Sequence, residues 1–431
     1  MDEARRAAYI ALRDVETKKA YSNYAILSVL KKYCKGHVGF VRELVYGTIR
    51  NQLYLDYAIG FFIRTPVEKL PVSDRILLRM GLYQLTYLGS VPDYAAVSET
   101  VELAKRYSKG REKFINGVLR QFLRDKDRVK LPARKEDKVR HLSLKYSFAP
   151  WIVKMWLDDF NNDDFVELIL ESSNMRPKLG IRVNTLKTSP GSLKGRLEEL
   201  GYEIETDEDF PDLFFIEGDG PLGLGMFEDG LFSVQGKSSR IAASGLGALP
   251  GETIIDVCAA PGGKTMAIAA SMKNIGRIIA TDVHKRKIKL IEDEAARLGV
   301  KIVEAWSWNG RIVDSELLGI ADRVLVDVPC SGLGTVRSKP EIKYREYDEA
   351  MEALPRTQLD ILKASAHYVK PGGILVYSTC TVAKRENQGV VDAFLRGNDE
   401  FEAVDTIQLL PTVEKTDGFF ICKMKRAERQ A

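Results

Sequence analysis

At 431 residues the chain is too long for one ordinary hydrophobic core, so two or three domains are expected. Its 45% hydrophobic and 29% charged residues are ordinary globular values, and no segment reaches the roughly 18 apolar residues of a membrane span. The net charge of +4 hides an asymmetry: residues 1–135 hold 26 Lys/Arg against 14 Asp/Glu, and the rest is acidic on balance. That front third is expected to be a module that meets a polyanion, the plain alternative being a solvated basic surface.

Residues 1 to about 130 show apolar positions at three- and four-residue spacing, as in "VRELVYGTIRNQLYLDYAIGFFI", and predict an all-helical bundle. Pro66, Pro71 and Pro92 fall between the periodic runs, where helices should break. A further helix is expected to begin near Arg111. After a charged linker at 131–140, "YSFAPWIVKMWLDDF" predicts a short helix, and "KLGIRVNTLKTSPGSLKGRLEELGYEIE" reads as strand, turn, helix, strand. A small α+β (RRM-like) subdomain over 141–235 follows, in which Arg182, Asn184 and Lys187 either face a ligand or serve as scaffold. From 236 to 431 strands at "TIIDVC", "RIIATDV", "KIVEAWS", "DRVLVDV" and "GGILVYSTC" alternate with helical stretches, which predicts a doubly wound parallel sheet of Rossmann-like type. Ligands on such sheets bind at the carboxyl ends of the strands.

The first of these strands runs into "DVCAAPGGKT", comprising Cys258, Ala259, Ala260, Pro261, Gly262, Gly263 and Lys264. Small side chains let a ligand lie against the backbone there, and the helix that follows offers its N-terminus to a carboxylate or phosphate. A phosphate-binding loop would need glycine five positions before Gly263, where Cys258 stands. The G-x-G-x-x-G dinucleotide pattern fails too, because the two glycines are adjacent and no third follows. Asp282 ends the second strand at the spacing from which an acid reaches ribose hydroxyls. A nucleoside with a compact polar tail and no pyrophosphate fits best, and S-adenosylmethionine is such a molecule.

Five cysteines, Cys34, Cys258, Cys330, Cys380 and Cys422, lack C-x-x-C or zinc-type spacing, so free thiols in a reducing cytoplasm are expected, with no metal. Cys330 and Cys380 each follow a strand, in "DVPCSG" and "YSTCT". If those strands are neighbours, about 5 Å apart, both sulfurs face one cavity with Asp327 and the cation Lys264. Two thiols suit pyrimidine chemistry. Carbon 5 of cytosine becomes nucleophilic once a thiolate adds to carbon 6, and a second group then assists release, while an acid such as Asp327 holds the ring-nitrogen side.

"DVCAAPGGKT", "DVPCSGLGTVRSKPEIKY", "PGGILVYSTCT" with "REN", and "TDGFF" resemble the RNA cytosine-5 methyltransferases of the Nol1/Nop2/Sun type. The basic helical front over 1–130 resembles the antitermination factor NusB, and the combination is similar to the Sun/Fmu group of bacterial small-subunit ribosomal RNA methyltransferases. The resemblance implies Cys380 as nucleophile, Cys330 as the residue of product release, and the 258–264 loop, Asp282 and Asp327 as the cofactor site. It implies small-subunit ribosomal RNA as partner, no membrane, and a monomer. Two departures stand out. Asn309 occupies the place of a usual acid after the third strand and can reach an adenine amino group only through its side-chain oxygen. Gln235 and Gly236 replace a common Gln-Asp, so a helix cap is lost. A non-catalytic RNA-binding factor would rest on the front domain alone, and a nicotinamide oxidoreductase on the sheet alone; the two thiols and the missing glycine pattern oppose them.

Overall fold

The structure, a computed structural model, describes residues 2–33, 37–218, 220–221, 225–412 and 416–428. Cys34 lies outside them. The chain forms two compact units, Met1–Met175 with Val336–Glu346, and Arg176–Thr335 with Tyr347–Ala431.

The first unit is helical. Helices Glu3–Lys18, Ser22–Tyr33, Val38–Arg50, Gln52–Gly60, Val72–Tyr87, Asp93–Tyr107 and Glu112–Asp125 enclose one apolar core that includes Ile26, Leu44, Leu55, Leu77 and Leu119. The prolines mark helix starts: Pro71 and Pro92 are N-caps, and Arg111 caps the helix expected there. A fixed φ near −65° with no N–H to lose suits the entrance of a helix. Gly47 has a packing reason, because a Cβ there would overlap the Tyr83 ring. Helices Lys138–Tyr146, Pro150–Phe160 and Asp163–Ser172 complete this unit.

Local pattern gives no hint that residues 336–346, which follow the Cys330 motif in the chain, belong to the helical unit. Their anchor is Lys343, fully buried, whose ammonium donates to Arg50 O (2.7 Å), Tyr146 O (2.9 Å) and Asn174 Oδ1 (2.6 Å) and lies 4.2 Å from the Phe148 ring centroid. Arg50 and Tyr146 are the last residues of their helices, so one cation serves the carbonyl ends of two helix dipoles. Burial, with the nearby Arg50 charge, pushes the Lys343 pKa well below its ordinary value. Three acceptors and an aromatic face are what keep such an amine hydrogen-bonded away from water.

The second unit contains two sheets. In the smaller, β1 (Leu179–Val183), β2 (Ile204–Thr206), β3 (Leu213–Ile216) and β4 (Phe232–Val234) run in the order β2-β3-β1-β4 with antiparallel pairing. Helix Pro190–Glu199, N-capped by Ser189, covers it through Leu193 and Leu197. The larger sheet contains β5 (Thr253–Val257), β6 (Arg277–Asp282), β7 (Val303–Ser307), β8 (Ala321–Asp327), β9 (Val369–Thr379), β10 (Phe401–Leu409) and β11 (Phe419–Arg426), in the order β10-β11-β9-β8-β5-β6-β7. Strands β5 to β9 are parallel, as the sequence predicts. Strands β10 and β11 add an antiparallel edge, so the sheet is mixed. The strand order reverses at β5, which opens the binding crevice between the carboxyl ends of β5 and β8.

Replacing Lys343 with Met would leave Asn174 Oδ1 without its donor, while Arg50 O keeps Tyr344 Oη and Tyr146 O keeps Asn174 Nδ2. Lys343→Met is expected to lower the stability of the helical unit by about 1–3 kcal/mol. Guanidinium denaturation followed by circular dichroism checks this, and an unchanged first transition would mean that Asn174 Oδ1 finds another partner.

Candidate active site

The parallel pairing of β8 with β9 sets Asp327 opposite Ser378, so the loops that follow both strands leave the sheet side by side. Cys330 Sγ and Cys380 Sγ then lie 3.1 Å apart, within hydrogen-bonding range for sulfur, and both thiols are free and partly exposed. Asp327 sits beneath them. Its Oδ1 accepts from Ser378 Oγ (2.8 Å) and its Oδ2 from Lys264 Nζ (2.7 Å). Burial opposes the Lys264 charge, but Asp327, with smaller contributions from Cys380 and Asp256, outweighs it and raises the lysine pKa. The ammonium also lies 5.0 Å from the Phe419 ring centroid.

The two thiols are not equivalent. The Cys330 pKa is raised well above the ordinary value, first by its hydrogen bond to Cys380, then by burial and by the charges of Cys380, Glu386 and Asp327. Either thiol can donate to the other, and whenever Cys380 carries the charge Cys330 is the one that keeps its proton. Cys258, pushed up to about 12 by burial and by Asp282, Asp327 and Asp256, remains a thiol and is no nucleophile. Cys422 lies buried in the core.

Residues 258–264 bridge β5 and helix Gly263–Ser271. Gly262, at φ 101°, is the N-cap and offers no side-chain cap, leaving the N-terminus of this helix facing the crevice at the sheet reversal. Asp282, almost fully buried at the end of β6, accepts from His284 N–H through Oδ1 and has Lys287 Nζ 3.5 Å from Oδ2. An uncapped helix terminus for a carboxylate and a carboxylate for ribose hydroxyls fit the two ends of S-adenosylmethionine. Asn309 is exposed, and its oxygen accepts from Arg311 N–H, which turns the chain after β7.

Arg182, Asn184 and Lys187 behave as scaffold. Asn184 Nδ2 donates to Gly230 O and Leu298 O, and Lys187 Nζ to Asp229 O and Arg297 O, tying the small sheet to helix Lys285–Leu298. Arg182, whose pKa burial lowers to about 10, donates to Gln235 Oε1, and Gln235 Nε2 donates to Gly263 O. Gln235 thus braces the 258–264 loop from below. Gly236, next along, is the N-cap of helix Lys237–Gly245 and makes no side-chain cap bond, as its lack of a carboxylate requires.

Sequence reasoning passed over two buried carboxylates. Asp256, at the end of β5, accepts from Thr265 Oγ1 (2.6 Å) and has its other oxygen buried without a partner. Burial raises its pKa to about 7, with Thr265 opposing and Asp327 adding to the rise. Its place beside the loop "DVC" was the available signal. Glu386, within "REN", is fully buried; Oε2 accepts from Ser331 N–H (2.8 Å) and Gln358 Nε2 (3.0 Å). The neighbouring Asn387 accepts from Thr379 Oγ1 and donates to Thr381 O, and so braces the Cys380 loop from both sides.

A sheet reversal with a small-residue loop, an acid on the next strand and no phosphate-binding glycine pattern defines an S-adenosylmethionine-dependent methyltransferase. Comparison with known proteins narrows the class. Residues 244–425 match the family described as 16S rRNA methyltransferase RsmB/F, residues 2–124 match the NusB family, and residues 148–222 match the ferredoxin-like domain of RsmF/B-like methyltransferases. The chain is 38% identical to the probable ribosomal RNA small subunit methyltransferase B of Bacillus subtilis, covering 98% of each chain. It is 33% identical to the ribosomal RNA small subunit methyltransferase B of Shigella sonnei, covering 89% of each. Among solved structures, PH0851 superposes with a TM-score of 0.86 at 28% identity over 98% of both chains. NSun6 from Pyrococcus horikoshii, solved with SFG, an analogue of S-adenosylmethionine, gives 0.57 at 25% identity over 64% of this chain and 97% of that one. The chain belongs to the RsmB/F family of 16S ribosomal RNA methyltransferases. Among the described residues no helix is long and apolar enough to cross a membrane, and no cluster of His, Cys, Asp or Glu is arranged to hold a metal ion.

The raised pKa of Asp256 makes a stability prediction. Its unfolded value is about 3.9, so the folded protein binds the extra proton, and that contribution is complete below about pH 4 and is lost as pH rises through 7. Asp256→Asn keeps an acceptor for Thr265 and cannot ionise. Relative to wild type it is expected to gain stability between pH 5 and pH 8.5, read as a shift in guanidinium midpoint; parallel pH profiles for the two proteins would contradict it.

Proposed function

We propose that the enzyme methylates carbon 5 of a cytosine in 16S ribosomal RNA through a covalent bond between Cys380 and carbon 6, with Cys330 acting in product release. The observation that carries this reading is the pair of sulfurs 3.1 Å apart at the ends of neighbouring strands, beside the Lys264–Asp327 ion pair. A structural role for one partly exposed cysteine is ordinary; two in contact at the cofactor crevice are not.

The asymmetry of the thiols gives each a task. The Lys264 ammonium lies close enough to Cys380 for the two charges to interact, which favours loss of the Cys380 proton to solvent, and the Cys330 thiol can then donate its hydrogen bond to the Cys380 thiolate. Addition forms the sulfur–carbon 6 bond, the carbon 5–carbon 6 pair shifts to carbon 4–carbon 5, and N3 takes a proton relayed from the Lys264 ammonium through Asp327, which N3 gives back once carbon 5 has taken the methyl group. S-adenosylmethionine, when bound by the 258–264 loop and Asp282, supplies the electrophilic methyl group that carbon 5 then takes. Once Cys380 is a thioether it carries no charge and accepts no hydrogen bond of comparable strength. The two influences of Cys380 on Cys330 disappear together, so the Cys330 pKa falls to the level that burial, Glu386 and Asp327 still set, and loss of its proton to solvent becomes easier. The Cys330 thiolate then takes the proton of carbon 5, the double bond reforms, and Cys380 leaves as a thiolate. Adduct formation itself thereby prepares the base that ends it. The basic front domain, residues 1–130, serves in this reading as the surface that holds the RNA backbone.

Two measurements test the assignments. Asp282→Ala is expected to weaken S-adenosylmethionine binding by about 1.5–3 kcal/mol through loss of charge-assisted bonds; unchanged affinity by calorimetry would move the ribose site elsewhere. Cys380→Ala should abolish methylation while leaving cofactor affinity in place, whereas Cys330→Ala should accumulate enzyme joined to methylated RNA, seen as a slow band on a denaturing gel. An adduct with Cys380→Ala and none with Cys330→Ala would reverse the two roles.

A further inference from the structure

Glu386 is a fully buried carboxylate that the reaction described above does not use. Its Oε2 accepts from the backbone N–H of Ser331, the residue after Cys330, and from Gln358 Nε2, which also donates to the carbonyl of Pro329, the residue before Cys330. Both peptide groups flanking Cys330 are thus tied to one pair of side chains. The Glu386 main chain is fixed in turn, its carbonyl accepting from Tyr377 Oη at 2.6 Å. Oε1 is buried without a hydrogen-bond partner. A buried carboxylate with an unused oxygen is costly, and its place beside the Cys330 thiol points to a use. A plain anchor for the Ser331 amide needs no charge, since glutamine would accept the same bond.

We propose that Glu386 is a positioning residue for the release step: its carboxylate fixes the Pro329–Ser331 turn so that Cys330 meets the carbon 5 proton, and its charge keeps Cys330 a strong base. The inference rests on the release role assigned to Cys330. The groups facing Cys330 are Cys380 and Tyr377 from β9 and the loop after it, Asp327 from β8, and Glu386 from the turn before helix Gln388–Leu395; Lys264, paired with Asp327, is the nearby cation. When Cys380 becomes a thioether, Asp327 and Glu386 are the anions that remain. Asp327 is neutralised by Lys264, and Glu386 has neutral donors only. Glu386 is therefore the anion that, together with burial, raises the basicity of Cys330 during release.

The test uses the full-length protein carrying Cys380→Ala, which removes the second thiol, and follows the pH dependence of Cys330 alkylation by iodoacetamide with mass spectrometry. Cys330 is expected to titrate above the ordinary thiol value of about 8.5, and a midpoint at or below it overturns the proposal without any change at Glu386. Adding Glu386→Gln, which keeps an acceptor for Ser331 but no charge, is expected to lower the midpoint by about one pH unit or more. Glu386→Asp should retain it. An unmoved midpoint in a folded Glu386→Gln protein refutes the charge role. With Cys380 restored, Glu386→Gln should lower kcat, leave KM for RNA unchanged and accumulate the covalent band; full turnover without that band refutes the release role of Glu386. The arms separate two failures: if Cys330→Ala itself turns over without an adduct, the release reading falls, while the titration still reports whether Glu386 acts on Cys330.

Discussion

The parallel pairing of β8 with β9 is the constraint on which the candidate site depends. Asp327 opposite Ser378 sets the origin of both cysteine loops to within one strand spacing, and no side-chain contact could bring Cys330 and Cys380 together if that register slipped. A slip by one residue would turn Asp327 and Ser378 to the opposite face of the sheet and break the bond between them. The register is held by burial on both faces: Val324, Leu325, Val326, Leu375, Val376 and Tyr377 are all fully buried and divide between two apolar clusters on either side of the sheet. The hydrophobic core thus decides the distance between two reactive atoms at its edge.

Around that register the loops are fixed by polar groups rather than by packing. Glu386 and Gln358 hold the peptides either side of Cys330, while Asn387 holds Thr379 and Thr381 either side of Cys380. Further bonds join the two loops directly, Ser331 Oγ with Thr381 Oγ1 and Gly334 N–H with Cys380 O. Consecutive residues of one short 3-10 turn and its cap therefore brace both motifs, and neither loop can move without the other. Such coupling fixes the separation of the two thiols, and a change of about 1 Å in it would alter both the hydrogen bond and the charge interaction between them.

Much of this was legible in the sequence wherever function and local pattern coincide. Apolar runs ending in small polar residues marked β5, β6, β8 and β9 and placed Cys330, Cys380, Asp282 and the 258–264 loop at one sheet edge. Strands β10 and β11 escaped notice for a physical reason: β10 is exposed along most of its length and lies at the sheet edge, so it lacks the continuous apolar run that betrays an inner strand. Asp256 and Glu386 were missed because a buried carboxylate is indistinguishable in sequence from a solvated one; only its partners reveal the burial. Arg182, Asn184 and Lys187 posed the reverse problem, since polar residues that the sequence leaves open between ligand contact and scaffold join one element to the next.

The segment 336–346 shows what no window of local sequence contains. It is short, basic and proline-bearing, and by composition it is a surface loop, yet Lys343 within it is among the most deeply buried side chains of the helical unit. Lysine is the residue able to do this: its long apolar stem crosses the core, and three rotating N–H donors meet carbonyls that point from different helices, which the planar fork of arginine could not do from the same position. The segment begins five residues after Ser331, whose amide Glu386 holds. Ser331 is thus anchored within the sheet-bearing unit and Lys343 within the helical unit. Between those two points lies "GLGTV", whose Gly334 would clash with Gly418 if it bore a side chain, so its backbone too is confined. With Ser331 held through its amide and Gly334 closed in by Gly418, the loop that carries Cys330 keeps little conformational entropy to lose when substrate arrives.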